Sequence, residues 1–182
     1  MKFRVLLAFV AMLVMLVAAF AIGSYRVYLD ERLQVELALS SLGDVLIARI
    51  EMGHNLLTVA RRHLAAEDSL LRAVQEDIRL LDQADTLKDI ANANEKLALD
   101  SKALLKKLEG LDSVQQDARD LRYVTGLLPR GFEQSAQWAD AKQYNAAAGA
   151  FNQRLHYTLN GKVASLLGVE DAELFGAEGG AR

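Results

Sequence analysis

The sequence predicts an all-α protein, in which an N-terminal transmembrane helix continues into an elongated antiparallel bundle of three to four long helices. Aromatic residues make up only 7% of the chain and proline occurs once, and the remainder is rich in Ala and Leu, which favours helices over strands. The run from Val5 to Ile22 has 18 residues without a charge, enough for a transmembrane candidate. Beyond it, apolar residues recur every three or four positions as far as Leu81, the period of one helix face.

The apolar run from Val5 to Ile22 can be a membrane anchor or a secretory signal. Lys2 and Arg4 precede it, and residues 19–21 (AFA) resemble a cleavage site. The run extends past that site and the helical pattern resumes at once, so we interpret it as an uncleaved anchor in the lipid bilayer. We therefore expect a single-pass membrane protein. Basic residues flank the run on both sides, which leaves the topology open with a slight lean toward an extracytoplasmic bundle.

The helical pattern beyond the anchor has a nearly heptad spacing, which implies packing along most of its length. Two paths stay open: one helix continuous to Leu81, or a bend at residues 65–69, where a new helix could start. Residues 82–86 predict a turn, with Asp85 or Thr86 capping a helix that ends at Gly110. The seam positions are Ile50, Gly53, Leu57, Ala60, Leu64, Glu67, Leu71, Val74, Ile78 and Leu81.

The second half of the chain predicts three further helices. The first, over residues 114–128 with Asp112 or Ser113 as its cap, is kinked or ended by Pro129. A long helix over residues 132–159 and a short one over 162–167 follow. The chain thus divides into an anchor (residues 1–24), a helical bundle (25–175) and a disordered tail (176–182).

Charge and cysteine content exclude several classes of partner and chemistry. Lys and Arg total 21 and Asp and Glu total 24, without a basic block, which argues against nucleic acid as a partner. The chain has no cysteine, so thiol catalysis and cysteine-based metal sites are excluded.

No motif in the sequence indicates catalysis or metal binding. His54 and His63 lie nine residues apart on opposite faces of one helix, and no Glu-x-x-His pair of the di-iron type occurs. There is no nucleophile elbow and no glycine loop for phosphate. We therefore expect no enzymatic activity, no metal and no cofactor. We expect three acidic pairs to lie on solvated helix faces: Glu67/Asp68, Glu76/Asp77 and Asp117/Asp120.

Asparagines next to aromatic residues are the candidate packing or partner sites. Tyr144-Asn145 is followed seven residues later by Phe151-Asn152, so both aromatics share one helical stripe and both asparagines the next. Either the aromatics form a core pair while the asparagines bond a facing helix, which we favour, or the stripe is a polar surface for a partner. Asn55 lies mid-helix, where we expect a specific hydrogen bond.

In these motifs the chain resembles the LemA family of bacterial membrane-anchored helical proteins, over residues 1–75 and 138–175. His54 stands where the family has a proline, and the break at residues 128–131 falls where the family has unbroken helix. The matching residues are Gly23-Ser24-Tyr25, Arg49, Asn55-Leu56, Tyr144-Asn145, Phe151-Asn152, Ala164, Leu167-Gly168 and Leu174-Phe175.

The resemblance implies an antiparallel bundle on a single anchor, without known catalytic residues, and an association with a membrane metalloprotease or with envelope functions. The resemblance also implies that the membrane is the bacterial inner membrane. Together with the long seams, this predicts a membrane-anchored scaffold or adaptor that organises the bacterial envelope or membrane. Its expected partners are the bilayer, a second copy of the chain, and a membrane protease or another membrane protein. The alternatives are a sensor-type helical bundle that binds a small ligand, and a regulator of a membrane protease.

Overall fold

In a computed structural model, which describes residues 2–138 and 141–176, the chain forms helices and no strand. The prediction of an all-helical protein is therefore confirmed for this part of the chain. The predicted disordered tail lies outside the described residues, apart from Gly176. The helices are α1 Lys2–His63, α2 Ser69–Asp82, α3 Leu87–Glu109, α4 Asp112–Gln115, α5 Ala118–Arg122, a π-helical turn Tyr123–Leu127, α6 Leu128–Trp138, α7 Lys142–Tyr157 and α8 Leu159–Leu166.

Local capping explains where α2 and α3 begin. The chain takes the broken path: α1 ends at His63, and the Asp68 side chain accepts the backbone N–H groups of Leu70 and Leu71 at the start of α2. Thr86 caps α3 in the same way, and α3 ends against Gly110. An oxygen at the N-cap satisfies N–H groups that have no partner inside the helix.

The segment between α3 and α7 differs from the prediction. The single helix expected over residues 114–128 is divided into α4, α5 and the π-helical turn, because Asp117 caps α5. α5, the π-helical turn and α6 follow one another without a gap, so Pro129 does not end the helical path. Pro129 lacks a backbone N–H, and it comes directly after the π-helical turn, where the backbone bonding already departs from the α-helical pattern. The long helix expected over residues 132–159 is divided into α6 and α7, and α8 begins three residues before the predicted start because Thr158 caps it.

Contacts divide the chain into two compact units. The first comprises Met1–Leu39 and Gln143–Glu173, and the second comprises Ser40–Lys142 and Leu174–Arg182. In the first unit the ring of Tyr28 meets Phe151 edge-on, with ring centroids 6.0 Å apart. The Tyr28 hydroxyl donates to the Arg154 carbonyl at 2.9 Å. These contacts join α1 to α7.

Among the described residues, α1 is the one helix that is long and apolar enough to cross a membrane. Its most apolar stretch has a mean hydropathy of 3.0 and is 0% buried within the protein. The apolar helix of a soluble core would be mostly buried, whereas the side chains of this segment point outward along its whole length.

The core of the second unit forms where α1, α2 and α3 meet. The seam predicted along α1 and α2 is buried from Gly53 to Leu81, except at Leu64, which is partly exposed, and Glu67, which is exposed. Gly53 permits close approach, because a Cβ there would lie 2.7 Å from the Ile78 side chain. The fully enclosed side chains include Leu56, Val74, Leu97, Leu104 and Leu108.

Candidate functional site: a cavity beside a buried arginine

The second unit contains a cavity of about 650 Å³ beside Arg49 of α1. Apolar side chains form most of its wall. They come from α3, the π-helical turn and α6, and are Ala98, Leu105, Val124, Pro129 and Phe132. π-helical turns are rare and occur frequently at functional sites. Here the turn places Val124 and Thr125 in the wall of the cavity.

Arg49 is almost completely buried, with 2% of its surface exposed. Its Nη1 donates to the Phe132 carbonyl at 3.5 Å and to the Ser135 hydroxyl at 3.4 Å, both beyond the usual range of hydrogen-bond lengths. Its Nε–H finds no partner among the described residues. Burial lowers the pKa of Arg49, but a guanidinium keeps its proton in proteins. The site therefore holds a buried positive charge with incomplete compensation.

Four further charged side chains line the Arg49 cavity, and all four are exposed to solvent. They are Lys102, Lys106, Glu109 and Glu133. Within the described part of the chain, neither lysine takes part in a salt bridge. With Arg49, three cationic groups face two carboxylates, so the lining carries an excess of one positive charge.

A second polar cluster joins the end of α1 to α5. Asp120 is fully buried and accepts hydrogen bonds from Arg62 Nη1 at 2.7 and 3.1 Å. His63 Nε2 lies 3.0 Å from the same carboxylate, and His63 Nδ1 lies 3.1 Å from the Ser113 hydroxyl. Burial alone would raise the pKa of Asp120, but the bonds from His63 and Arg62 outweigh it and lower the pKa.

The Asp120 cluster has the residue types of a metal site but is better explained as an ion-pair network. The ligand atoms of His63, Asp117 and Asp120 lie within 4.8 Å of one another. However, Arg62 bonds both oxygens of Asp120, and Asp117 is engaged as the cap of α5. A metal ion would have to displace the Arg62 guanidinium, so these residues do not form a ready site.

Two carboxyl groups meet between α2 and α3. Asp77 is 5% exposed, and burial, together with hydrogen bonding to and repulsion from Asp100, raises its pKa to about 6. Paired carboxyl groups with a raised pKa can serve as general acids, but neither residue lines the Arg49 cavity. The expectation that the acidic pairs are solvated is therefore wrong for Asp77 and Asp120, because tertiary contacts cover both.

The structure places the predicted packing residues in different environments. Tyr144 and Phe151 are buried in the first unit. The Asn152 side chain accepts from the Ala172 N–H and donates to the Ala172 carbonyl, each at 2.8 Å. Its partner is therefore the extended segment after α8, and not a facing helix. Asn145 also takes part in an interaction. Asn55 is exposed, and the bond expected for it is not found among the described residues.

The Tyr144 hydroxyl adds a second bond to that extended segment, because it donates to the Glu173 carbonyl at 2.5 Å. Burial raises the pKa of Tyr144, so the phenol stays protonated. Tyr144 and Asn152 thus hold the chain after α8 against α7.

Sequence reasoning did not identify the Arg49 cavity, although one signal of it is present. Arg49 follows Leu42 and Leu46 at the spacing of a helix seam and precedes Gly53, and these four residues are all buried or partly buried. A charged residue at a seam position is costly unless it has a partner. Only the tertiary structure shows the cavity beside it.

A comparison of the chain with protein-family models, with curated proteins and with solved structures finds no match.

Proposed function

We propose that the protein is a membrane-anchored helical scaffold or adaptor of the bacterial inner membrane. The observation that carries the proposal is the exposed apolar stretch of α1, because the same helix continues into the packed residues of both units. An apolar helix with this exposure is stable in lipid and unfavourable in water. The resemblance to the LemA family supports the same role.

The remainder of the proposal is an antiparallel bundle of three to four long helices. Two contacts between α2 and α3 support it: Lys107 pairs with Asp68 and Asp100 faces Asp77, so residue numbers rise along one helix while they fall along the other. Long helix faces of this kind offer surfaces for lateral packing by a second copy or another membrane protein. Lys2 and Arg4 before the apolar run slightly favour a bundle outside the cytoplasm over one inside it.

Charges placed in the apolar stretch test the anchor. A carbonate wash should release the double variant Leu13→Arg, Leu16→Arg from the membrane pellet into the supernatant. The reason is that each arginine at the bilayer centre costs about 2.5–3.5 kcal/mol. Leu99→Arg is the matched control, because Leu99 is an exposed leucine of α3 and should leave fractionation unchanged. An anchored double variant would contradict the proposal.

Self-association tests the scaffold. Light scattering of the full chain in detergent, after subtraction of bound detergent, should give a multiple of the 20.0 kDa chain mass. In-cell crosslinking should then recover either a second copy or a membrane metalloprotease. A monomer at every concentration, with neither partner recovered, would remove the scaffold and adaptor functions while leaving the anchor in place.

A ligand-binding bundle is the second candidate function, and the Arg49 cavity favours it. Its volume of about 650 Å³ is within the range of pockets that hold small molecules, about 300–1,000 Å³. Apolar walls with a few polar groups are also typical of such sites.

A further inference from the structure

We propose that the Arg49 cavity binds a monoanionic carboxylate with an apolar body. The proposal deepens the ligand-binding candidate and is independent of the membrane anchor. Arg49 supplies a buried guanidinium, whose Nε–H has no partner among the described residues. A carboxylate can accept two parallel N–H bonds from such a group, and the charge of the lining decides between it and other anions.

The cavity wall defines the body of the ligand. Leu105, Val124 and Phe132 give an apolar lining next to the guanidinium. An aromatic or branched aliphatic group would remove this surface from water, at about 25 cal/mol for each Å². A carboxylate without an apolar body would leave the wall unoccupied.

The charges of the lining define the charge of the ligand. Lys102 and Lys106 are exposed and attract anions, whereas Glu109 and Glu133 repel them. The excess of one positive charge matches a monoanion. A phosphate dianion would leave one negative charge uncompensated beside the buried guanidinium, and removing a dianion from water costs more than removing a monoanion.

Calorimetry on the full chain in detergent tests this inference with 4-phenylbutyrate and its neutral amide as probes. The carboxylate should bind at least about tenfold more tightly than the amide, because only the carboxylate pairs with the buried charge. Arg49→Met should lower carboxylate affinity at least about tenfold. It should still fold, since an apolar side chain of similar length can replace a buried charge. Arg61→Met, at an exposed arginine of the same helix, should bind as the unaltered chain does.

The double variant Lys102→Gln, Lys106→Gln provides a second test, since both side chains are exposed and folding should not change. It should weaken binding about two- to threefold, with the loss diminishing at high salt. Equal binding of acid and amide, or tighter binding of phenyl phosphate, would overturn the carboxylate proposal while leaving a ligand site. If no probe binds, both the carboxylate proposal and the ligand-binding function of the cavity are overturned.

A different observation, in the first unit, carries a second inference: we propose that α8 lies on the bilayer surface. This inference rests on the proposed anchor. Leu159 and Leu166 are 71% and 87% exposed and lie seven residues apart, on one helix face. Leu167 is a further 48% exposed. Exposed Lys162 lies between them in sequence, where its long side chain can reach lipid headgroups.

Contacts between α1 and the end of α7 place α8 next to the anchor. Arg154 pairs with Glu31 at 3.4 Å, and Thr158, which caps α8, lies 2.7 Å from the Tyr28 hydroxyl. The end of α7 and the cap of α8 therefore contact α1 at Tyr28 and Glu31. Tyr28 is six residues beyond Ile22, about 9 Å along the helix axis. Ser24 is only 3% exposed, so protein packing extends close to the end of the apolar run.

The start of α8 is therefore within about 9 Å, along the axis of α1, of the level where the apolar run ends. An amphipathic helix at this level buries its apolar face at the boundary between headgroups and acyl chains. The occupant of this face is thus the lipid bilayer that holds the anchor.

Single-cysteine labelling tests the position of α8, because the chain has no cysteine of its own. Leu166→Cys, Val10→Cys and Leu99→Cys would each carry the fluorophore NBD on the full chain. The host vesicles contain phosphatidylethanolamine and phosphatidylglycerol, with nitroxide on part of the acyl chains. Emission at position 166 should shift to the blue and be quenched like position 10. Emission at position 99, which is 62% exposed in the second unit, should stay unquenched.

The three positions separate this inference from the anchor. If position 10 is quenched but position 166, like position 99, is not, the placement of α8 is overturned and the anchor stands. No quenching at position 10 would overturn both.

Discussion

Replacing Phe151 with alanine should destabilise the first unit by about 3–5 kcal/mol, the usual cost of removing a buried aromatic side chain. Phe151 is 0% exposed and packs edge-on against Tyr28, so the variant loses both the transfer of the ring from water and its contacts with α1. Amide hydrogen exchange in α7 reports on the stability of this unit by itself, and mass spectrometry of the full chain in detergent measures it. Exchange should be faster by about a hundredfold or more.

Tyr157→Ala is the matched control for this substitution. Tyr157 belongs to the same helix, but it is 82% exposed, so its removal should change the free energy of unfolding by less than about 0.5 kcal/mol. Unchanged exchange in the Phe151 variant would show that α1 and α7 do not pack through this ring.

The second large effect is expected for Asp120→Ala, which should cost about 2 kcal/mol at neutral pH. The substitution leaves Arg62 and His63 without the carboxylate that joins α1 to α5. The Arg62 side chain is 44% exposed, so water compensates part of the loss and keeps it below the cost of breaking a fully buried pair. Urea unfolding of the full chain, followed by circular dichroism, measures the difference.

The pH dependence of this difference has a definite sign. The folded-state pKa of Asp120 lies below its ordinary value of 3.8, so its stabilisation is present above about pH 4 and is lost as pH falls through the lowered pKa. The gap between the unaltered chain and Asp120→Ala should therefore narrow below about pH 4. A constant gap at every pH would contradict a role for the ionised carboxylate. Glu67→Ala, at an exposed carboxylate near α2, should have the same free energy of unfolding as the unaltered chain at every pH.

The exposed Asn55 and the bonded Asn152 illustrate the limit of motif reasoning. Asn55 was expected to make a specific hydrogen bond because it lies mid-helix, and Asn152 was expected to bond a facing helix because it repeats Asn145 two turns later. Asn152 bonds Ala172, which lies 20 residues away in the extended segment after α8, whereas Asn55 faces solvent. The helical spacing predicts which face a side chain occupies, but it does not predict which segment will cover that face.

The apolar stretch, the helical class and the capped starts of α2 and α3 are determined by the local sequence, because they depend on residues within about four positions of one another. Asp68 and Thr86 cap helices through their own neighbours, and the apolar stretch of α1 is apolar irrespective of its surroundings. The Arg49 cavity and the Asp120 cluster were decided only by the tertiary structure. Arg49 meets Ser135 across 86 residues, and Arg62 meets Asp120 across 58. Burial of a charge depends on such distant segments, and nothing in the local pattern of Asp117 and Asp120 distinguishes the exposed carboxylate from the buried one.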